Sequence, residues 1–317
     1  MNIDCIKRVG VAGAGIMGAS IAQAFANAGY GVVLYDLKEQ YLDKGRDAMK
    51  NNQESLIAEG LLDEKQAADG MRKILFTTNI QEFSDCSLVI EAIIEKLEIK
   101  QIFWEKVSRI VSPEAILASN TSGLSITDIG KNVLHQERFG GMHWWNPPHV
   151  MPLVEVIMAH YTGEETANFL MQISEKLGKK PVLVKKDVHG FIGNRLQFAV
   201  FREALNIVQQ GIATVEDVDK ALKFGPGLRY SVLGALETAD LGGLDTFYLI
   251  SSYLFADLSQ AQEAPELLKR LVDENSLGVK TGKGFYDYSN GRDLEVIHRR
   301  NTMFLQLLKM LKKNDQL

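Results

Sequence analysis

The sequence predicts an α/β protein: a doubly wound, mainly parallel sheet followed by an all-α C-terminal domain. Three observations predict it. Short apolar runs alternate with helix-period stretches from residue 6 to residue 184, the pattern of parallel strands joined by crossover helices. From Gly190 to Leu317 the helical patterning continues with no clear strand run. Gly13, Gly15 and Gly18 crowd the junction between the first strand and the first helix.

In chain order, residues 6–12 read as a buried strand, 15–27 as a helix ended by Ala28-Gly29, and 31–35 as a second strand closed by Asp36. A long helix near 38–59 precedes strands at 75–77 and 88–90, the latter ending in Glu91. A helix near 98–110 leads to a strand at 116–118 and the turn Ser119-Asn120-Thr121-Ser122. Ser125 with Asp128 reads as a helix start, as does Thr214 with Asp217. Strands at 139–142, 153–157 and 182–184 complete the series. The texture changes after Lys185-Lys186-Asp187, so the domains are expected at 1–186 and 187–317, without a Pro- or Ser-rich linker.

Composition narrows the function. At about 100–200 residues per domain, 317 residues suggest two domains with ordinary cores. A hydrophobic share of 46% excludes a disordered chain, and 35 basic against 40 acidic residues argue against a general nucleic-acid binder. Cys5 and Cys86 show no CxxC spacing, which argues against disulfide scaffolds and zinc ribbons and fits a reducing, cytoplasmic setting. The apolar stretch 9–25 behind Lys7 and Arg8 mimics a secretory signal or a membrane span. Its four glycines, Gly10 included, and its strand–turn–helix pattern argue for a soluble protein with no membrane partner.

Gly13-Ala14-Gly15-Ile16-Met17-Gly18 is G-x-G-x-x-G in the context that gives the motif meaning: a strand before it, a helix after it, and an acid at the end of the next strand. Gly13 makes the tight turn, Gly15 lets a pyrophosphate reach the helix N-terminus, and Gly18 lets helix and strand pack closely. Asp36 is then placed to bind the adenosine ribose hydroxyls and to repel a 2′-phosphate, so NAD rather than NADP is the expected cofactor of a Rossmann-type domain. Farther on, His143 follows the 139–142 strand, and Glu155 stands among Leu153, Val154, Val156 and Ile157. A carboxylate in an apolar strand needs a partner, and His143 is the natural one. The carboxylate would orient the imidazole and stabilise its protonated form, as a general base facing an alcohol requires.

These segments resemble the 3-hydroxyacyl-CoA dehydrogenase family, and the resemblance covers nearly the whole chain. The glycine turn matches the family's own, which implies that Gly13, Gly15, Ile16, Met17 and Gly18 meet the cofactor. Glu91-Ala-Ile-Ile-Glu95 with Lys100 is similar to its E-A-x-x-E segment, which implies that Glu95 and Lys100 lie near the cofactor. Ser119-Asn120-Thr121-Ser122 matches S-N-T-S, placing Asn120 and Ser122 by the cofactor and Ser122 also at the substrate. His143-Trp-Trp-Asn146-Pro followed by Leu-Val-Glu155-Val-Ile matches H-F-F-N-P…L-V-E-V-I, which implies a His143–Glu155 catalytic dyad with Asn146 on the cofactor side. Gly190-Phe-Ile-Gly-Asn194-Arg195 is similar to G-F-I-x-N-R, where the asparagine assists at the substrate carbonyl. Lys280-Thr-Gly-Lys-Gly-Phe-Tyr286 resembles K-T-G-x-G-F-Y, whose first lysine lies by the cofactor. The implied activity is NAD-dependent oxidation of a 3-hydroxyacyl-CoA such as 3-hydroxybutyryl-CoA, in fatty acid metabolism, by a homodimer.

Some features depart from the family. Residues 53–69, read as the solvated face of the long helix after the second strand, carry Glu54, Glu59, Asp63, Glu64 and Asp69 against Lys65, and a family CoA-contacting lysine falls on Glu59. The doubled proline of Asn146-Pro-Pro-His149, and the segment Gly225 to Glu237, resemble the gulonate dehydrogenase/lambda-crystallin group and a pyridine-alcohol dehydrogenase. Arg229 in that segment is a candidate for pairing a substrate carboxylate. These departures leave two alternatives: a dehydrogenase of a free hydroxy acid or small alcohol, and a catalytically silent NAD-binding protein. No metal is expected from His143, His149 and His189, which lack zinc-motif spacing. Trp144 and Trp145 read chiefly as aromatic packing, Cys86 as a small buried residue, and Phe198, Phe201 and Leu205 as a face that packs across the dimer.

Overall fold

A computed structural model describes Ile3 and residues 6–313; Cys5 lies outside the described residues. The first half alternates strand and helix through β1 (Arg8–Ala12), α1 (Ile16–Asn27), β2 (Gly31–Tyr35), α2 (Glu39–Ala58), α3 (Glu64–Arg72), β3 (Ile74–Thr77) and β4 (Leu88–Glu91). It continues through α4 (Leu97–Val107), β5 (Ile116–Ser119), α5 (Ile126–Ile129), β6 (Phe139–Trp144), β7 (Leu153–Ile157), α6 (Glu164–Lys176) and β8 (Lys180–Val184). Among the described residues these strands form one eight-stranded sheet in the order β3-β2-β1-β4-β5-β6-β7-β8. All neighbours pair in parallel except β6 and β7. Crossover helices cover both faces, so β4 and β5 are wholly buried and read as continuous apolar runs.

The chain moves outward from β1 to β3, then returns to place β4 on the other side of β1. That reversal opens a crevice at the carboxyl ends of β1 and β4, where ligands of open α/β sheets bind. The expected α/β architecture is the one observed. One crossover went unread in the sequence. The parallel pair β7–β8 cannot be joined by a tight turn; α6 makes the connection, burying Ala167, Phe169, Leu170 and Ile173 against the sheet.

The described residues form two compact units. One holds everything up to Asn194 together with the residues from His298 onward; the other is Arg195–Ile297. The break thus falls beyond the expected 186/187 boundary, and the end of the chain returns to the first unit. Backbone hydrogen bonds from Ile192 and Gly193 to Glu155 tie the 187–194 segment to the sheet. The return is held by the end of α13 (Arg292–Lys313), where Lys309 pairs with Glu59 at 2.9 Å.

The second unit contains the body of α7 (Gly193–Gln209), then α8 (Val215–Phe224), α9 (Pro226–Tyr230), α10 (Ala235–Gly242), α11 (Leu244–Asp257) and α12 (Glu266–Asp273). Its described residues add only isolated bridges, between Gly278, Lys283 and Asp287. The Thr214 side chain caps α8 by accepting from the Asp217 N–H, as its spacing predicts, and Ser125 does the same for α5 with Asp128.

Three local readings change. His143 does not follow its strand; it is inside β6. Residues 53–69 are not one helix face, because α2 ends at Ala58, Gly60 turns the chain at φ +63°, and Asp63 starts α3 with a capping box to Gln66. Leu205 is buried at the floor of a groove rather than on an open face, whereas Phe198 is exposed.

Candidate active site

The glycine turn has the geometry its spacing predicts. Gly13 sits at φ +97°, and a side chain there would meet the Ala92 carbonyl at 2.5 Å. A Cβ on Gly18 would fall 1.8 Å from the Gly13 oxygen, so only glycine allows this approach of helix to strand. Gly15, by contrast, faces open space at the N-terminus of α1. Ile16 and Met17 open that helix, whose unsatisfied N–H groups favour an anion. Asp36 closes β2 and accepts from the Ala14 N–H at 2.7 Å and the Leu37 N–H at 2.7 Å. A cleft of about 620 Å³ runs past Gly13, Gly15, Asp36, Ile94 and Phe103, with an apolar wall suited to an adenine ring. Turn, open glycine, carboxylate and apolar wall together fit a dinucleotide.

The second cluster joins the ends of β4 and β5. Lys100 is almost fully buried, and its ammonium meets Glu91 and, at 3.2 Å, Glu95. Glu91 also accepts from Trp104 Nε1 at 3.2 Å, Ser119 Oγ at 2.8 Å and the Ile93 N–H at 3.0 Å. Glu95 in turn receives the Thr121 hydroxyl and, at 3.1 Å, the Ser122 N–H. The lysine therefore acts through Glu95 to hold the Asn120–Ser122 turn. Asn120 is buried, its Oδ1 accepting from the Trp144 N–H at 2.7 Å and fixing the end of β6. Ser122 and Asn146 are exposed.

The third cluster lies on the antiparallel pair. His143 on β6 stands directly opposite Glu155 on β7, so both side chains point to the same face. His143 Nδ1 and Glu155 Oε2 are 2.8 Å apart, with His143 4% and Glu155 0% exposed. The other carboxylate oxygen accepts the Ile192 and Gly193 N–H groups, each at 2.9 Å. Gly190 at φ +75° and Phe191 at φ +50° reverse the backbone so that these two amides form a small anion nest. Burial alone would raise the Glu155 carboxyl. The hydrogen bonds from His143, Gly193, Ile192 and Trp145 outweigh it and bring the group down to about 2. A carboxylate at Nδ1 holds the proton there and leaves Nε2 with a free lone pair, the form a general base needs.

Asn194 follows the nest at the start of α7 and donates from Nδ2 to the Ser122 carbonyl at 2.9 Å, so the two residues expected at the substrate are joined. Arg229, on the exposed helix α9, and Lys280 belong to the second unit, where Lys280 lines an apolar groove with Phe201 and Tyr286. His149 is held neutral: burial, then Lys179 and Arg300, lower it to about 4. Cys86 is a buried thiol pushed up to about 12 by desolvation, the opposite of a nucleophile. Among the described residues no group of three or more His, Cys, Asp or Glu could hold a metal ion.

Sequence reasoning missed two residues. Trp145 donates its indole N–H to Glu155 Oε2 at 3.1 Å. Glu91 anchors Lys100, and it carried the signal that exposed Glu155, an acid at the buried end of an apolar strand.

Two family models match the chain: the NAD binding domain of 3-hydroxyacyl-CoA dehydrogenase over residues 8–188 and its C-terminal domain over residues 190–288. A probable 3-hydroxybutyryl-CoA dehydrogenase of Deinococcus radiodurans is 40% identical over 283 residues, covering 89% of this chain and all of the relative. Among solved structures, a 5-formyl-3-hydroxy-2-methylpyridine 4-carboxylic acid 5-dehydrogenase, described as an NAD+-dependent dismutase, matches with a TM-score of 0.91 at 30% identity, over 97% of this chain and 99% of its own. The (S)-3-hydroxybutyryl-CoA dehydrogenase of Ralstonia eutropha matches with a TM-score of 0.75 at 34% identity, over 90% and 100%.

Proposed function

The chain belongs to the 3-hydroxyacyl-CoA dehydrogenase family and is an NAD-dependent oxidoreductase acting on a CH–OH group; from that premise we propose that it oxidises the β-hydroxyl of a 3-hydroxyacyl substrate, such as 3-hydroxybutyryl-CoA, through a His143–Glu155 dyad. One observation carries the reading: the 2.8 Å contact between a buried imidazole and a buried carboxylate on adjacent strands. NAD, when bound, accepts the hydride. His143 Nε2 takes the hydroxyl proton, and Glu155 holds the imidazolium. Ser122 and Asn194 position the substrate oxygens, and Glu95 and Lys100 keep the Asn120–Ser122 turn in place. In the reverse direction the same imidazole is the acid.

The cofactor end has its own test. Asp36→Ala is expected to lower kcat/KM for NAD about tenfold or more and to narrow the preference over NADP, since the ribose acceptor and the repulsion of a 2′-phosphate go together. An unchanged NAD-to-NADP ratio would remove Asp36 from this role.

A second reading, a substrate without CoA, is favoured by the far end of α2. Glu59, where the resemblance puts a CoA-contacting lysine, is committed to Lys309 of the returning helix at 2.9 Å. A carboxylate there disfavours a phosphate-rich ligand. The higher TM-score to the pyridine-carboxylate enzyme supports the same reading. NADH formation by purified protein separates the two, with 3-hydroxybutyryl-CoA set beside free 3-hydroxybutyrate and a panel of small aromatic and aliphatic hydroxy acids. A preference of about a hundredfold or more for the thioester supports a CoA enzyme, since the nucleotide's binding energy then contributes to catalysis. Turnover of a free acid without that preference supports the second reading. No NADH with any substrate favours a silent NAD-binding protein.

A homodimer is part of the same proposal. Helices α10 and α11 of the second unit leave Leu236, Leu241, Tyr248, Leu249 and Phe255 more than half exposed, large apolar side chains that a partner surface would cover. Light scattering on the eluted protein should give twice 35.3 kDa. A cytoplasmic location is proposed with it; Cys86, the one cysteine among the described residues, is a free thiol.

A further inference from the structure

We propose that Trp145 is a positioning residue that sets the basicity of His143, by sharing with it the one oxygen of Glu155 that the imidazole holds. The inference rests on the dyad reading above and deepens it. Glu155 Oε2 receives two donors, His143 Nδ1 at 2.8 Å and Trp145 Nε1 at 3.1 Å. Oε1 receives the other two, the Ile192 and Gly193 amides. A carboxylate has about four acceptor sites, and all are filled. Negative charge drawn towards the indole N–H is charge withheld from the imidazolium, so the indole weakens the grip of Glu155 on protonated His143.

Trp145 is built into this place. Its ring lies 6.0 Å from the His143 ring and Phe191 lies 5.5 Å from it, so the imidazole is flanked by two aromatics. Gly193 makes room for the indole: a Cβ there would fall 2.3 Å from Trp145 Cζ2. The residue that supplies one amide of the nest is thus glycine because the tryptophan occupies the adjacent space. The neighbouring ionisable groups make their contacts away from Glu155, although Asp187 Oδ1 is buried without a hydrogen-bond partner. Asp187, on the loop before α7, accepts from Ser125 Oγ and the Thr127 N–H, and His189 on that loop approaches the Gly123 carbonyl at 3.4 Å. Glu95 and Lys100, behind the Asn120–Ser122 turn, pair with each other. The indole is then the adjustable contact on the carboxylate.

Trp145→Phe keeps an aromatic ring and removes the donor. In the direction of alcohol oxidation, the acid limb of the kcat/KM profile should move up by about half to one pH unit, with a smaller loss on the alkaline plateau. A role in packing alone would lower the whole profile and leave the limb in place, and that result overturns the proposal. If the phenylalanine variant fails to bind NADH, Trp145→Phe/Gly193→Ala carries the test, because the added methyl enters the space the indole leaves. The same shift is read without turnover from the imidazole nitrogen resonances of 15N-histidine-labelled protein. A moved titration in a protein that oxidises nothing would retain the tuning and reject the reaction. An active enzyme with an unmoved limb and an unmoved titration would reject the tuning and retain the reaction.

Discussion

Replacing Glu155 by glutamine is expected to lower kcat by about three to four orders of magnitude while leaving NADH binding nearly intact. The size of the effect follows from where each carboxylate oxygen is spent. Ile192 and Gly193 present two N–H donors to Oε1, so the glutamine oxygen must stay there. Its NH2 group then takes the place of Oε2 and faces both His143 Nδ1 and the Trp145 N–H. A donor opposite Nδ1 forces the proton to Nε2 and leaves no lone pair there to accept the hydroxyl proton. The indole N–H is left facing another donor, which adds a cost in stability. His143→Ala should fall by a similar factor, and the double variant scarcely further, since groups that act as a unit are not additive. NADH fluorescence titration measures the binding half, and steady-state rates the other. Turnover of Glu155→Gln within about tenfold of the parent would exclude the dyad as the proton-transfer device.

The same carboxylate has a pH signature. Its folded-state value, about 2, lies below the ordinary 4.5 of an unfolded chain. Glu155 therefore stabilises the fold above about pH 4.5 and loses that contribution as the pH falls towards 2. Glu155→Gln should flatten the acid side of the stability curve in urea titrations taken across that interval.

The second large effect is structural. Lys100→Met leaves Glu91 buried without its counter-ion, and breaking a buried pair from one side costs about 3–5 kcal/mol. Glu91 keeps Trp104, Ser119 and the Ile93 amide, but none of these carries positive charge. Urea denaturation should show the loss directly. Lys100→Met with Glu91→Gln together should recover much of it, since removing both charges leaves no orphan. The double variant still lacks the ammonium beside Glu95, so the Asn120–Ser122 turn is less firmly held and KM should stay raised after stability returns. A double variant as unstable as the single one would show that the pair matters through packing rather than charge.

Much of this architecture was legible in the residues alone. Gly13 and Gly18 announce their turn because a backbone that bends past φ +90° or must pack a helix closely on a strand tolerates no side chain, and that constraint is local. β1, β2, β4 and β5 are continuous apolar runs because both faces of a parallel sheet are covered. Glu155 was detectable for the complementary reason: a charge in such a run has to be answered, and few residues in reach could answer it. The helix α6 left no comparable mark, and was implied only by the need to join β7 to β8 in parallel.

What the sequence by itself determined was therefore everything set by short-range sterics and by burial: the alternating sheet, the dinucleotide turn, the acid after β2, and the identity of the histidine and glutamate. Tertiary structure alone decided how those groups are shared. That Trp145 joins His143 on one oxygen, that Ile192 and Gly193 take the other, that Lys100 stands between Glu91 and Glu95, and that Lys309 comes back to Glu59 all depend on residues of different elements meeting within hydrogen-bonding range. A donor's range is about 3 Å, far shorter than any periodicity in the chain can specify, so its partner is chosen only when the packed sheet and loops set their final spacing.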